Sequence, residues 1–210
     1  MPLTLVEARA AERNTDRQAE YDVDPLFIDR WSARALHPDP IPDADLMTCF
    51  EAARWAPSAF NAQPWRFIYA HRDGADWQDL FDLLNVKNRQ WAYRAGAIVF
   101  IASRKDFIFQ EQAFPVDSHS FDTGAAWGSF AHQAHLLGYT TRAIGGFDRK
   151  AAPGVLGLPD NYRVETAVAI GRRGGKEGLP ETFHAQEFPS ERRPLAQFVF
   201  AGRFDAGKDQ

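Results

Sequence analysis

Residues 46–55 form a helix-favouring run that cannot continue past Ala56-Pro57, and this stop constrains the chain more than any other local feature. A residue before proline is pushed out of the α region, and proline has no N–H with which to extend the helical ladder. The run therefore ends in a polar turn carrying Ser58, Asn61 and Gln63, before Pro64 and Trp65 open a strand-like segment over 65–70. These side chains carry both donors and acceptors, so the turn is chemically suited to a flat polar heterocycle. An ordinary helix-to-strand connection, whose Ser and Asn bond only to their own backbone, fits the spacing equally well.

With 210 residues, 45% of them hydrophobic, the chain can bury a substantial core and suits one domain better than two. Its formal net charge of -4, with Lys and Arg scattered among acids, creates no basic field for nucleic acid or anionic lipid, so neither partner is expected. The single cysteine, Cys49, rules out an internal disulfide and a thiolate metal cluster, and reads as a small core residue. Neither a signal peptide nor an apolar run of the ~20 residues needed to span a bilayer is evident, which makes a soluble cytoplasmic protein the expectation.

In chain order, residues 1–24 read as a polar N-terminal arm, 25–200 as the folded domain and 201–210 as a polar tail. Arg30, Ser32 and Arg34 precede a linker stiffened by Pro38, Pro40 and Pro42. Two guanidinium groups and a hydroxyl within five residues suit a phosphomonoester or an acidic surface, with solvated loop arginines as the alternative. The spacing of Trp77, Leu80, Phe81 and Leu84 predicts an amphipathic helix that covers one sheet face, and 97–102 a buried strand. Residues 105–118 show no clear periodicity, although Phe107, Phe109 and Phe114 would suit either a mobile lid or ordinary packing. Residues 119–138 are apolar nearly all round, which predicts a helix in the protein centre or at a subunit interface. A short strand then leads to Gly145-Gly146, residues 151–156 to a short helix, 164–171 to a strand, and 198–200 to a terminal strand.

Several of these pieces, in this order, resemble the nitroreductase-like flavoprotein family. Its A-P-S-S-x-N-x-Q-P-W element stands here as A-P-S-A-F-N-A-Q-P-W over 56–65, with Ala59 in place of the second serine. Its R-x-S-x-R element is matched by Arg30, Ser32 and Arg34, its D-x-G-A-A helix by residues 122–126, and its R-x-P-L element by residues 192–195. The resemblance covers roughly 25–199. It implies an α+β nitroreductase-like fold with a central, mainly antiparallel sheet flanked by helices, and a homodimer with two FMN sites at the subunit interface. Arg30, Ser32, Arg34, Asn88, Gly145, Gly146 and Arg192 would serve one flavin, with Asn85 an alternative to Asn88, a plain helix C-cap in the local reading. Pro57, Ser58 and Asn61 would serve the flavin of the neighbouring subunit.

The activity so implied is transfer of hydride from NAD(P)H through flavin N5 to a nitroaromatic, quinone or similar acceptor by a ping-pong mechanism. Arg34 is the candidate for positive charge near flavin N1, and no acid–base side chain has a spacing that demands a catalytic role. A dehalogenase or flavin-fragmenting enzyme of the same fold, or a flavin carrier without turnover, are the alternatives. The G-R-R-G-G-K-E-G stretch at 171–178 is one residue short of a P-loop and has Glu177 where the magnesium-binding Ser or Thr is required. His132 and His135 share a helix face without an acidic or thiol partner at ligand spacing, so no metal site is expected.

Overall fold

The computed structural model describes residues 16–207, so most of the expected N-terminal arm, residues 1–15, lies outside the described residues. Residues 16–24 are irregular. The described chain forms two compact units, one of 16–31 with 188–207 and the other of 32–187.

In the first unit a short helix, α1 (Pro25–Asp29), begins where the Asp24 carboxylate accepts the Leu26 N–H at 2.9 Å, with proline in the first turn where its missing N–H costs nothing. The expected strand at 198–200 does not form. A 3₁₀ turn at Leu195–Gln197 precedes it, and the Val199 N–H bonds back to the Leu195 carbonyl at 2.8 Å, so a donor that a sheet would need is consumed in a local turn.

The second unit holds α2 (Asp43–Arg54), β1 (Trp65–His71), α3 (Trp77–Asp82), α4 (Val86–Ala92), β2 (Ala97–Arg104), β3 (Asp106–Phe109), β4 (Gln112–Pro115), α5 (His119–Leu136), β5 (Tyr139–Ile144), α6 (Ala152–Val155) and β6 (Tyr162–Arg172). Its main sheet has the order β1-β2-β6-β5, and every neighbouring pair is antiparallel. All but the last residue of β2 are buried, so the strand reads as a continuous apolar run and its alternate residues feed two cores. Ile98 and Phe100 join Leu80, Leu84, Trp91 and Phe147 on one face. Ala97, Val99 and Ile101 join Leu46, Cys49, Ala53, Ala126, Phe130 and Ala134 on the other. Helices α3 and α4 thus cover one face of the sheet, and α2 packed on α5 covers the opposite one.

Two open readings are narrowed. Residues 106–115 form a hairpin, β3 paired with β4, in which Phe107 faces Phe114. The turn residues Gln110 and Glu111 both adopt positive φ, 49° and 65°, the geometry of a two-residue hairpin turn usually marked by Asn or Gly, and that marker is missing from the sequence. Helix α5 is buried on one side only: Phe121 is 81% exposed, and space is open beside Gly124 and Gly128. Among the described residues, no helix is long and apolar enough to cross a membrane.

Phe100 is fully buried at the centre of β2, in edge-to-face contact with Phe147 at 5.5 Å between ring centroids. Phe100→Ala is expected to cost about 3–5 kcal/mol of stability, the scale of a large aromatic deleted from a core. Urea unfolding monitored by circular dichroism measures this, and a loss below about 1 kcal/mol would contradict a rigid centre.

Candidate functional site

At one edge of the sheet, β5 ends at Ile144 and releases Gly145 and Gly146 toward the start of α4. Asn85 caps that helix, its side-chain oxygen accepting the Asn88 N–H at 2.9 Å. The Gly146 carbonyl accepts both the Asn85 N–H and the Asn88 side-chain amide at 3.0 Å. Asn88 is therefore a first-turn helix residue bound to the glycine pair, and the C-cap reading is replaced by an N-cap at Asn85. A Cβ at Gly146 would collide with the amides of Asn85 and Asn88, whereas one at Gly145 would meet open space. Two adjacent glycines thus differ: Gly146 is sterically required, and Gly145 leaves its approach clear.

Arg142, two residues before the end of β5, was not singled out from the sequence. It stands among threonines in a strand, with no motif around it. Its guanidinium lies 5.8 Å from the Trp91 ring on α4 and donates to the carbonyl of Ser32. Burial, followed by the charge of Arg34, lowers its pKa, and Glu187 opposes the shift. Arg34 is itself held in place: its guanidinium sits over the Phe183 ring at 5.4 Å, reaches the Gln186 side-chain oxygen at 3.3 Å and lies 4.0 Å from Glu187. The Glu187 carboxylate, buried to 4% exposure, accepts the backbone N–H groups of Arg34 and Ala35, both at 2.8 Å. Two guanidiniums thus converge with one carboxylate, leaving one positive charge in excess in a poorly solvated place. Asn88, Gly145, Gly146, Ser32 and Arg34 belong to this one region.

Pro57, Ser58 and Asn61 lie elsewhere. Their loop precedes β1, which is the opposite edge strand, so three strand spacings, about 14 Å, separate the two edges. Within the loop, Ser58 Oγ accepts the Gln63 N–H at 3.0 Å. Phe60, Asn61 and Gln63 have positive φ of 54°, 53° and 47°. For a bulky residue such as Phe60 this is an uncommon, strained conformation, of the kind that persists where surrounding contacts enforce it. The enforcing contact is Asp122 on α5, whose buried carboxylate accepts the Ala59 N–H at 3.1 Å and the Ser118 hydroxyl at 3.0 Å.

Arg30 and Arg192 fall in the first unit. Arg30 follows α1 directly, and its pKa is lowered by burial and then by the cationic neighbours Arg192 and Arg17. Arg192 is exposed, and its guanidinium donates to the carbonyls of Ser190 and Glu191, both at 3.1 Å.

The contrast between the two glycines gives a paired prediction. Gly146→Ala should cost about 1–3 kcal/mol, because the asparagine amides must move, whereas Gly145→Ala should stay within about 0.5 kcal/mol of the parent. Thermal melts of both variants decide it, and equal losses would remove the steric distinction.

The family model described as the nitroreductase family matches residues 28–85. A solved structure described as an oxidoreductase containing FMN is 47% identical, with 92% of this chain and 98% of that chain covered at a TM-score of 0.89. A curated NADH dehydrogenase from Thermus thermophilus is 27% identical over 206 residues, covering 85% of this chain and 95% of its own. The structure of a nitroreductase family protein from Streptococcus pneumoniae is 20% identical with a TM-score of 0.67, a likeness of fold. The antiparallel sheet between two helical layers is the fold of those structures, and with near-complete overlap at 47% identity the chain belongs to the nitroreductase family.

Proposed function

We propose that this protein is an FMN-dependent oxidoreductase that takes hydride from NAD(P)H and delivers it to a nitroaromatic, quinone or similar flat acceptor. The observation that carries the reading is the excess positive charge of Arg34 and Arg142 over Glu187, with Arg142 three residues before the unobstructed Gly145. The residues present fit a flavin on both counts: Gly145 leaves the main chain open to the approach of a planar ring, and the guanidiniums suit the N1 side, where negative charge gathers on reduction. When bound, the flavin would supply the redox chemistry, that of a hydride carrier between the nicotinamide and the acceptor.

The work of the chain is to bind and orient. Asn88, tied to the Gly146 carbonyl, sets the position of the glycine pair. Glu187 fixes the Arg34 backbone through two N–H groups, so the arginine enters the site without further loss of conformational freedom. Arg30, Ser32 and Arg34 are assigned together to the phosphate and ribityl chain, and Arg192 to the phosphate, on the sequence resemblance.

The placement of the loop of Pro57, Ser58 and Asn61 on the sheet edge opposite the glycine pair supports the reading as a homodimer. One chain carries the two halves of a site about 14 Å apart, and a second copy can supply the missing half to each. The open, small-residue side of α5 at Gly124 and Gly128 offers a surface for close contact between copies. Hairpin β3–β4, whose Phe107 stacks on Phe60 of the loop at 5.6 Å, would then cover the acceptor.

Purified protein should be yellow, sediment at twice the chain mass and bleach on anaerobic addition of NADPH or NADH. A yellow protein that stays oxidised would point to a flavin carrier, and a colourless one that takes up no added FMN would defeat the proposal. Arg142→Met should make the flavin midpoint potential more negative, by about 30 mV for each 1.4 kcal/mol of lost charge stabilisation in a two-electron couple. Spectroelectrochemical titration of the loaded variant reads this directly, and an unchanged potential would exclude Arg142 from the ring environment.

A further inference from the structure

Arg17 is the most deeply buried cation of the first unit, at 7% exposure, and belongs to a stretch whose sequence reads as a polar arm. Its Nη1 donates to the Ile28 carbonyl at 2.8 Å and to the Arg30 carbonyl at 3.2 Å. These carbonyls belong to the end of α1 and the residue after it, where the helix has no backbone donors left to satisfy them. A guanidinium is suited to this position because its planar fork and fixed charge complement the exposed carbonyls of a helix end.

The same side chain borders a cavity of about 290 Å³ whose wall also includes Tyr21, Phe27, Glu191, Arg192 and Arg193. Asp29 and Glu191 partly offset Arg17, and the Glu20 carboxylate is engaged by the Leu195 N–H at 2.9 Å. For Arg30, in contrast, the charged neighbours that perturb it are both cations, Arg192 and Arg17. Like charges gathered around the partly buried Arg30 favour an anion that joins them.

We propose that Arg17 is a positioning residue for a phosphate monoester: it clamps the carbonyls of Ile28 and Arg30, presents the Arg30 guanidinium, and adds a third positive charge to Arg30 and Arg192. This rests on the flavin reading above and extends it, since it makes residues 16–24 part of cofactor selection and makes FMN, with its phosphate, preferred over riboflavin, which lacks one.

The test is the dissociation constant of FMN and of riboflavin, each titrated by fluorescence quenching into full-length apoprotein of the parent, Arg17→Met and Arg17→Lys. Arg17→Met should weaken FMN about tenfold and leave riboflavin unchanged, so the preference for FMN falls by the same factor. Arg17→Lys keeps the charge but loses the planar fork, so it should recover less than half of that loss on a logarithmic scale. An unchanged preference in Arg17→Met, or full recovery in Arg17→Lys, overturns the proposal. If Arg17→Met fails to fold by circular dichroism, a parent-like preference in Arg17→Lys overturns it and a reduced one supports it. A parent protein that binds neither flavin defeats the flavin reading and this proposal together, an outcome distinct from a preference that ignores Arg17.

Discussion

The pairing of β2 with β6 is the constraint on which the 32–187 unit depends. β2 is buried along all but its last residue and β6 over 167–171, and β2 sends alternate side chains into separate cores. A strand buried on both faces must satisfy every backbone donor and acceptor through its neighbours, because water cannot reach them. This requirement places β1 and β5 at the edges and recruits helical layers to both sides. It also sets the functional geography, since the polar loop leads into one edge strand and the glycine pair leaves the other.

Around that frame the charged groups show how a buried carboxylate can organise arginines. Glu187 accepts two main-chain N–H groups and lies close to the Arg34 guanidinium. Without it, Arg142 would face the Arg34 guanidinium with no opposing charge in a poorly solvated place, where burial and then that neighbouring cation lower its pKa. With it, a single excess positive charge remains, fixed in position before any ligand arrives. Fixed charge of this kind acts on developing negative charge without reorganisation at the moment of reaction.

The loop at 57–63 follows a different principle. Its positive-φ residues are locally unfavourable, and the structure holds them through Asp122, whose carboxylate links the loop to the start of α5. Such a hydrogen bond offsets part of the strain, which is about 1–3 kcal/mol for a residue held in this conformation. The aspartate of the D-T-G-A-A segment therefore has a structural task that sequence matching alone leaves unexplained.

Much of the fold was legible in the sequence. The proline stop after α2, the continuous apolar run of β2, the spacing of α3 and the glycine pair are local signals, produced by backbone sterics and by the periodicities of helix and strand. The family motifs likewise marked Arg30, Ser32, Arg34, Asn88, Gly145 and Gly146. The hairpin at 106–115 escaped because its turn uses Gln110 and Glu111, residues that adopt positive φ only when strand pairing enforces it. Arg142 and Glu187 escaped because their importance lies in meeting Arg34, and contacts over such chain separations leave no periodic trace. The sequence by itself determined the stop after α2 and the burial of β2, and marked the residues that resemble flavoprotein motifs. Only the tertiary structure decided which charges face each other and on which sheet edges the polar loop and the glycine pair lie, because both depend on strand order and long-range packing.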